Sequence, residues 1–171
     1  FLTRELVVEL AERGVQPTDD EAERAAMTAS EGVARAVQRR VDRLPEGAGD
    51  LAGAVAVLGD AAELAIAAEV AGLSQDAARG RADALAEAGL LEPGIRLRFL
   101  HPLVRAAIAD GLGPGELDAA HRRAAEVLKE RGEGADRVAA HLAATTPSGE
   151  AWVVEELTAA ARRGQLLDHP G

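Results

Sequence analysis

The chain has 171 residues, a formal net charge of −10 and no cysteine, so disulfides, thiol catalysis and cysteine-ligated zinc are excluded. Its hydrophobic fraction is 47% but only 2% of its residues are aromatic, which leaves a core of Ala, Leu and Val and favours close-packed helices over a large sheet. The acidic balance speaks against a general nucleic-acid or anionic-membrane surface, and no apolar run is long enough to cross a bilayer.

Phe1 to Arg13 reads as an amphipathic helix with Leu2, Leu6, Val7 and Leu10 on one face, closed by Gly14. Residues 14–28, with Pro17 and the run Asp19-Asp20-Glu21, read as an exposed connector. A helix opening at Ser30 continues through Val33, Val37, Val41 and Leu44, spaced by four, four and three. It carries Arg35, Arg39, Arg40 and Arg43, the one basic patch of the chain. That patch is either a solvated face countering nearby acids or a site that meets a phosphate or an acidic neighbouring domain. Pro45 to Gly49 then separates it from the central unit.

Leu51 to Leu58 and Ala61 to Leu73 are small and apolar, with Asp60 and Ala61 to Glu63 expected to cap and open the second helix. Gly72-Leu73-Ser74 ends one helix on glycine and opens the next on a serine N-cap. The third helix runs from Ser74 to Ala88 and stops at Gly89. Glu92-Pro93-Gly94 is a turn signal, and Ile95 to Phe99 alternates at period two, which predicts a helix-turn-helix followed by a β-hairpin wing. From Glu63 to Arg98 six acids stand against four arginines, Arg79, Arg81, Arg96 and Arg98. Non-specific DNA affinity comes mostly from neutralised phosphates, so this balance favours a packing or interdomain role. The alternative is a free-standing winged-helix DNA-binding protein that uses those four arginines.

His101-Pro102 leads into a helix through Ile108 with proline at its first position. Gly111 to Gly115 is the clearest breaker and the expected domain boundary. Glu116 to Arg131, Ala135 to Ala144 and Glu150 to Leu166 follow as three helices on Gly/Pro-containing connectors, the look of a helical-repeat array at its edge. No phosphate loop, nucleophile elbow or metal-binding HExxH helix occurs, and no catalytic triad is suggested, so catalysis within the chain is not expected. His101, His121 and His141 are twenty residues apart on three different helices without a short paired spacing. That favours helix-contact histidines at His121 and His141 over a zinc site. His101 stands at a helix start just after the wing, where its ring is able to project toward a ligand or neighbour. Phe99 and Trp152 read as core anchors.

Four stretches, FLTREL, AVQRRVDRLPEGAGDLAGAVAVLGD, LAEAGLLEPGIRLRFLHPLVRAAIADGL and AAHRRAAEVLKERGEGADRVAAHLAATTP, resemble the middle of the large ATP-binding LuxR-type bacterial transcriptional regulators, members of the STAND class of signalling ATPases. The resemblance spans nearly the whole chain, and its most specific pieces are RFLHPLVR at Arg98 to Arg105 and the HRRAAEVL and RVAAHL stretches that follow. It implies a mainly α chain in which residues 1–45 are a helical lid or linker, residues 46–112 a winged helix with a small β-hairpin wing, and residues 113–171 the start of a TPR-like helical-repeat sensor. It further implies an ATPase domain before Phe1, a DNA reader after Gly171, a cytoplasmic location and no membrane partner. The partners would be the chain's own ATPase and sensor domains, with self-association of the longer protein open, and DNA only through the C-terminal reader. ATP or ADP with Mg would belong to the longer protein and no cofactor to this segment. His101 matches the histidine that in related STAND proteins senses the β-phosphate of ADP, and Arg35, Arg39 and Arg40 become candidate interdomain or phosphate contacts. The G-N-P motif usual just before F-L would lie before Phe1, and one departure stands out: Gly164 to Gly171 does not continue cleanly into a further repeat.

Overall fold

A computed structural model describes residues 31–59 and 61–168, with side chains as far as Arg163. The helix expected at Phe1 to Arg13, the connector after it, Asp60 and His169 lie outside the described residues. Among the described residues the fold is mainly α, with eight helices and one two-stranded antiparallel sheet.

Helix α1, residues 31–41, turns Val33, Val37 and Val41 inward, and Leu44 beyond it packs on the same core. Helix α2, Ala48–Leu58, is the hub: every residue from Leu51 to Val57 is buried. Such a helix is apolar all round because it has neighbours on every side, and its alanines let those neighbours approach closely. Its first turn starts at Gly47, whose φ of 86° is a left-handed conformation that suits glycine.

The chain next forms strand β1, Ala62–Glu63, then helix α3, Leu64–Val70, and helix α4, Gln75–Glu87. The expectation that residues 61–63 cap and open α3 is therefore corrected. Glu63 occupies the N-cap position in extended conformation without a side-chain cap, because its backbone and that of Ala62 are committed to a sheet. The partner is strand β2, Arg96–Leu97, with Ala62 opposite Leu97 and Glu63 opposite Arg96. Ala62 and Leu97 are buried together, and the Arg96 guanidinium meets the Glu63 carboxylate at 3.2 Å across the ladder. Leu91 and Phe99 form a further antiparallel bridge, so the chain doubles back between residues 92 and 98.

Between α3 and α4, Gly72 at φ 68° makes the reversal, the Leu73 N–H reaches back to the Ala68 carbonyl, and Ser74 Oγ accepts from the Ala77 N–H at 3.2 Å. Leu85 of α4 and Leu90 and Leu91 beyond it are sealed in the first core with Leu51, Val55 and Phe99. Burying each such leucine contributes about 1.5–3 kcal/mol.

Helix α5, Pro102–Gly111, adds Val104, Ala107 and Ile108 to this core. Only Leu112 and Gly113 separate it from helix α6, Pro114–Glu130, so the expected breaker is a two-residue joint. Helix α7, Ala135–Ala143, and helix α8, Ala151–Asp168, complete the chain. A second core gathers Ala125, Val127 and Leu128 of α6, Val138 and Leu142 of α7 and Val153 of α8. Ile66 of α3 belongs to this second core, and α6 packs on both α2 and α3. A bidentate pair strengthens the same seam: Arg131, just after α6, donates from Nη2 and Nε to the two Glu69 oxygens at 2.6 and 3.1 Å. The two halves flanking the glycine-rich joint thus share buried contacts. No helix of the described residues is long and apolar enough to cross a membrane.

Candidate functional site

The segment Arg98 to Arg105 crosses from the sheet into α5, and its geometry follows from the helix start. His101 is extended, with φ −152° and ψ 143°, and stands as N-cap to a helix whose first residue is Pro102. Its Nδ1 accepts the Leu103 N–H at 3.1 Å. An accepting Nδ1 leaves the ring hydrogen on Nε2, so the exposed imidazole offers one donor to whatever lies outside. The cap and the outward donor are two jobs of one ring.

Beside it opens a cavity of about 470 Å³ lined by Glu92, Arg98, Phe99, Leu100, Pro102 and Arg105. Phe99 is buried and forms its floor, whereas Leu100 and Leu103 are 55% and 41% exposed on the surface next to His101. Arg105 donates from Nε to the Ala56 carbonyl at 3.0 Å, tying α5 to the C-terminal end of α2. Two guanidinium groups against one carboxylate, with an imidazole donor and apolar rim, suit an anion attached to an apolar surface. Arg105 was not among the residues singled out from sequence. Its signal is spacing, since it lies four residues after His101 where α5 makes one turn.

The other candidates fall elsewhere. Arg35, Arg39 and Arg40 are exposed on α1; Arg35 Nε reaches its own helix at the Glu31 carbonyl, and the Arg40 guanidinium approaches Gly89 after α4. No hydrogen bond or ion pair among the described residues links them to His101. Of the four arginines weighed for DNA, Arg79 pairs with Asp76 at 3.1 Å, Arg81 donates to the Glu46 carbonyl at 2.6 Å, and Arg96 is held by Glu63 and the Ala61 carbonyl. Arg98 alone of the four lines the cavity by His101. Asp76, Asp83 and Glu87 are exposed on the same helix as Arg79 and Arg81. This face mixes acids and arginines without a positive excess.

Two histidines that the sequence left separate come together. His121 on α6 and His141 on α7 face each other with Nδ1 to Nδ1 at 3.1 Å. Burial pushes both imidazoles below the usual histidine range, His141 to about 4, where His121 and Arg137 add repulsion. Asp118 partly offsets this at His121. Among the described residues no group of three or more His, Asp or Glu side chains converges as a metal site. Trp152 is half-buried against the second core, donates from Nε1 to Glu150 at 2.9 Å and carries the Lys129 ammonium 5.3 Å from its ring.

Compared with protein-family models, with curated proteins and with solved structures, the chain has no match, so the family reading rests on the resembling segments themselves.

Proposed function

We propose that the chain is a regulatory and interaction segment of an ATP-dependent regulator of the LuxR type and has no catalysis of its own. In this reading residues 46–112 are a winged-helix docking unit, with β1, β2 and the 92–98 excursion as its wing. Residues 1–45 link toward an ATPase domain, and residues 113–171 begin a TPR-like sensor region. The observation that supports docking over DNA reading is the state of the arginines. Arg79 and Arg96 pair with the Asp76 and Glu63 carboxylates and Arg81 donates to the Glu46 backbone carbonyl, so phosphates would compete with contacts already made and with the acids beside them.

His101 then donates from Nε2 to the β-phosphate of ADP held, with Mg, by the ATPase domain, and Arg98 and Arg105 supply positive charge nearby. Arg35, Arg39 and Arg40 offer further interdomain or phosphate contacts on α1. Exchange of ADP for ATP changes the contact at His101 and shifts the balance between a closed and an open arrangement. The chain's own domains are the partners, and DNA is reached only through another domain.

The test uses the full-length protein with ADP bound. His101→Ser keeps an N-cap on α5 but removes the imidazole, so ADP should dissociate faster while thermal stability stays near wild type. Unchanged ADP retention in a folded His101→Ser protein refutes the sensing role.

A further inference from the structure

We infer that the His121–His141 contact is a proton-sensitive latch between α6 and α7: with one hydrogen shared between the two Nδ1 atoms it holds the hairpin closed, and with a hydrogen on each Nδ1 it lets α7 and α8 swing away from α6. The geometry carries this. At 3.1 Å one Nδ1 donates and the other accepts. The donor ring is able to take a second proton on its far nitrogen and still donate. The acceptor ring is not: its protonation site is the bonded lone pair, and once occupied it leaves two N–H groups face to face with no acceptor between them. The latch therefore tolerates one imidazolium and fails at the second, and the two rings titrate as a unit.

The surroundings offer little to stabilise that second charge. His141 is 8% exposed and sits beside Val138 and Leu142 in the layer between α6 and α8. On α6, Asp118 faces His121 and is itself hydrogen-bonded by the Thr146 N–H, so its charge favours the first proton at His121 rather than a second at His141. On α7, Arg137 faces His141 and repels it. On α8 and the connector before it, Arg163 is paired with Asp136, Glu156 with Lys129, and Glu150 with Arg122. No carboxylate of the described residues hydrogen-bonds either ring. Among the described residues His141 is the one buried polar or charged residue. Acid therefore meets a buried imidazole at the seam between α6 and α7.

The sign follows from burial. The unfolded segment takes its histidine proton near 6.5, while the closed form withholds it at His141 until about 4. Stability of the latch is complete above 6.5 and is lost as pH falls from there toward about 4. Between pH 7 and about pH 5.2, where carboxylates remain ionised, the opening equilibrium rises about 15-fold from His141 alone.

The test is amide hydrogen exchange on this chain at those two pH values, corrected for intrinsic exchange rates, with His141→Leu as comparison. Protection of α7 and α8 should fall about 15-fold while α2 holds, and in His141→Leu the acid loss should disappear. Equal protection at both pH values, or an undiminished acid loss in His141→Leu, overturns the latch. If the variant does not fold, ring titration of the wild-type protein by NMR decides: two rings that each titrate independently at 6.5 overturn it, and coupled titration below that value supports it. Saturable stabilisation by Zn²⁺ that consumes both rings at neutral pH also overturns it, since the pair would then be a metal seat.

Discussion

Ile66 is a buried residue through which the two halves of the chain meet, and its truncation reads that joint directly. It rises from α3, within the segment assigned to the docking unit, yet its side chain is 2% exposed among Leu128, Val138, Leu142 and Val153 of the following helices. Ile66→Ala removes three carbons at about 0.8 kcal/mol each, roughly 2.4 kcal/mol of transfer free energy. The space left between α3, α6 and α7 adds a cavity cost, giving a total of about 3–4 kcal/mol, inside the usual range for this change. The assay is urea unfolding followed by circular dichroism, which reports all helices, and by the fluorescence of Trp152, the one tryptophan, which reports the second core. Both probes should move to lower urea together in Ile66→Ala, and Ile66→Val should cost about 0.5–1.5 kcal/mol. A loss below about 1 kcal/mol, or a Trp152 transition that stays in place while the helical signal shifts, refutes a shared core.

Three further outcomes are expected. Gly72→Ala meets no atom within 4 Å of its new Cβ but must hold φ at 68°, so its cost of about 1 kcal/mol is purely backbone and should appear in chemical denaturation without change in fold. Arg131→Ala removes the bidentate partner of Glu69; both side chains are partly exposed, so the loss should be about 1 kcal/mol and shrink in high salt. Hydrogen bonding by Arg131 holds the Glu69 carboxyl below its ordinary 4.5, so this pair contributes above that value and fades as pH falls through the lowered one, a dependence that Arg131→Ala should erase from the stability profile. His101→Ala should lower stability by about 1 kcal/mol through the lost cap, with His101→Ser recovering most of it.

Features set by neighbours in sequence were legible without coordinates. Val33, Val37 and Val41 announce the buried face of α1, Gly72 and Ser74 the reversal before α4, and Pro102 the start of α5. Features that depend on distant pairing were not. Ala62 and Glu63 look like the first turn of a helix until Leu97 and Arg96 are placed opposite them. His121 and His141 show no ligand spacing along the chain, and only the antiparallel packing of α6 on α7 brings Nδ1 to Nδ1. The crossing of Ile66 into the second core escaped for the same reason, because a short apolar helix does not declare which neighbour it will face. At the candidate site His101 was readable as a helix-start histidine, whereas the cavity beside it depends on how Glu92 and Arg98 are folded back against α5. The four arginines were visible as charges, but their engagement was not: Arg81 reaches the carbonyl of Glu46, far away in sequence.

A docking unit and a DNA reader differ in whether the α4 and β2 face touches protein or grips DNA. Fluorescence anisotropy of a labelled random DNA duplex, titrated with this chain at low and then physiological salt, measures this directly. A docking unit should give no saturable rise at either salt concentration, and no difference between the wild-type chain and one carrying Arg79→Ala, Arg81→Ala, Arg96→Ala and Arg98→Ala. Saturable binding that weakens steeply with salt and disappears with those four substitutions would contradict the docking reading.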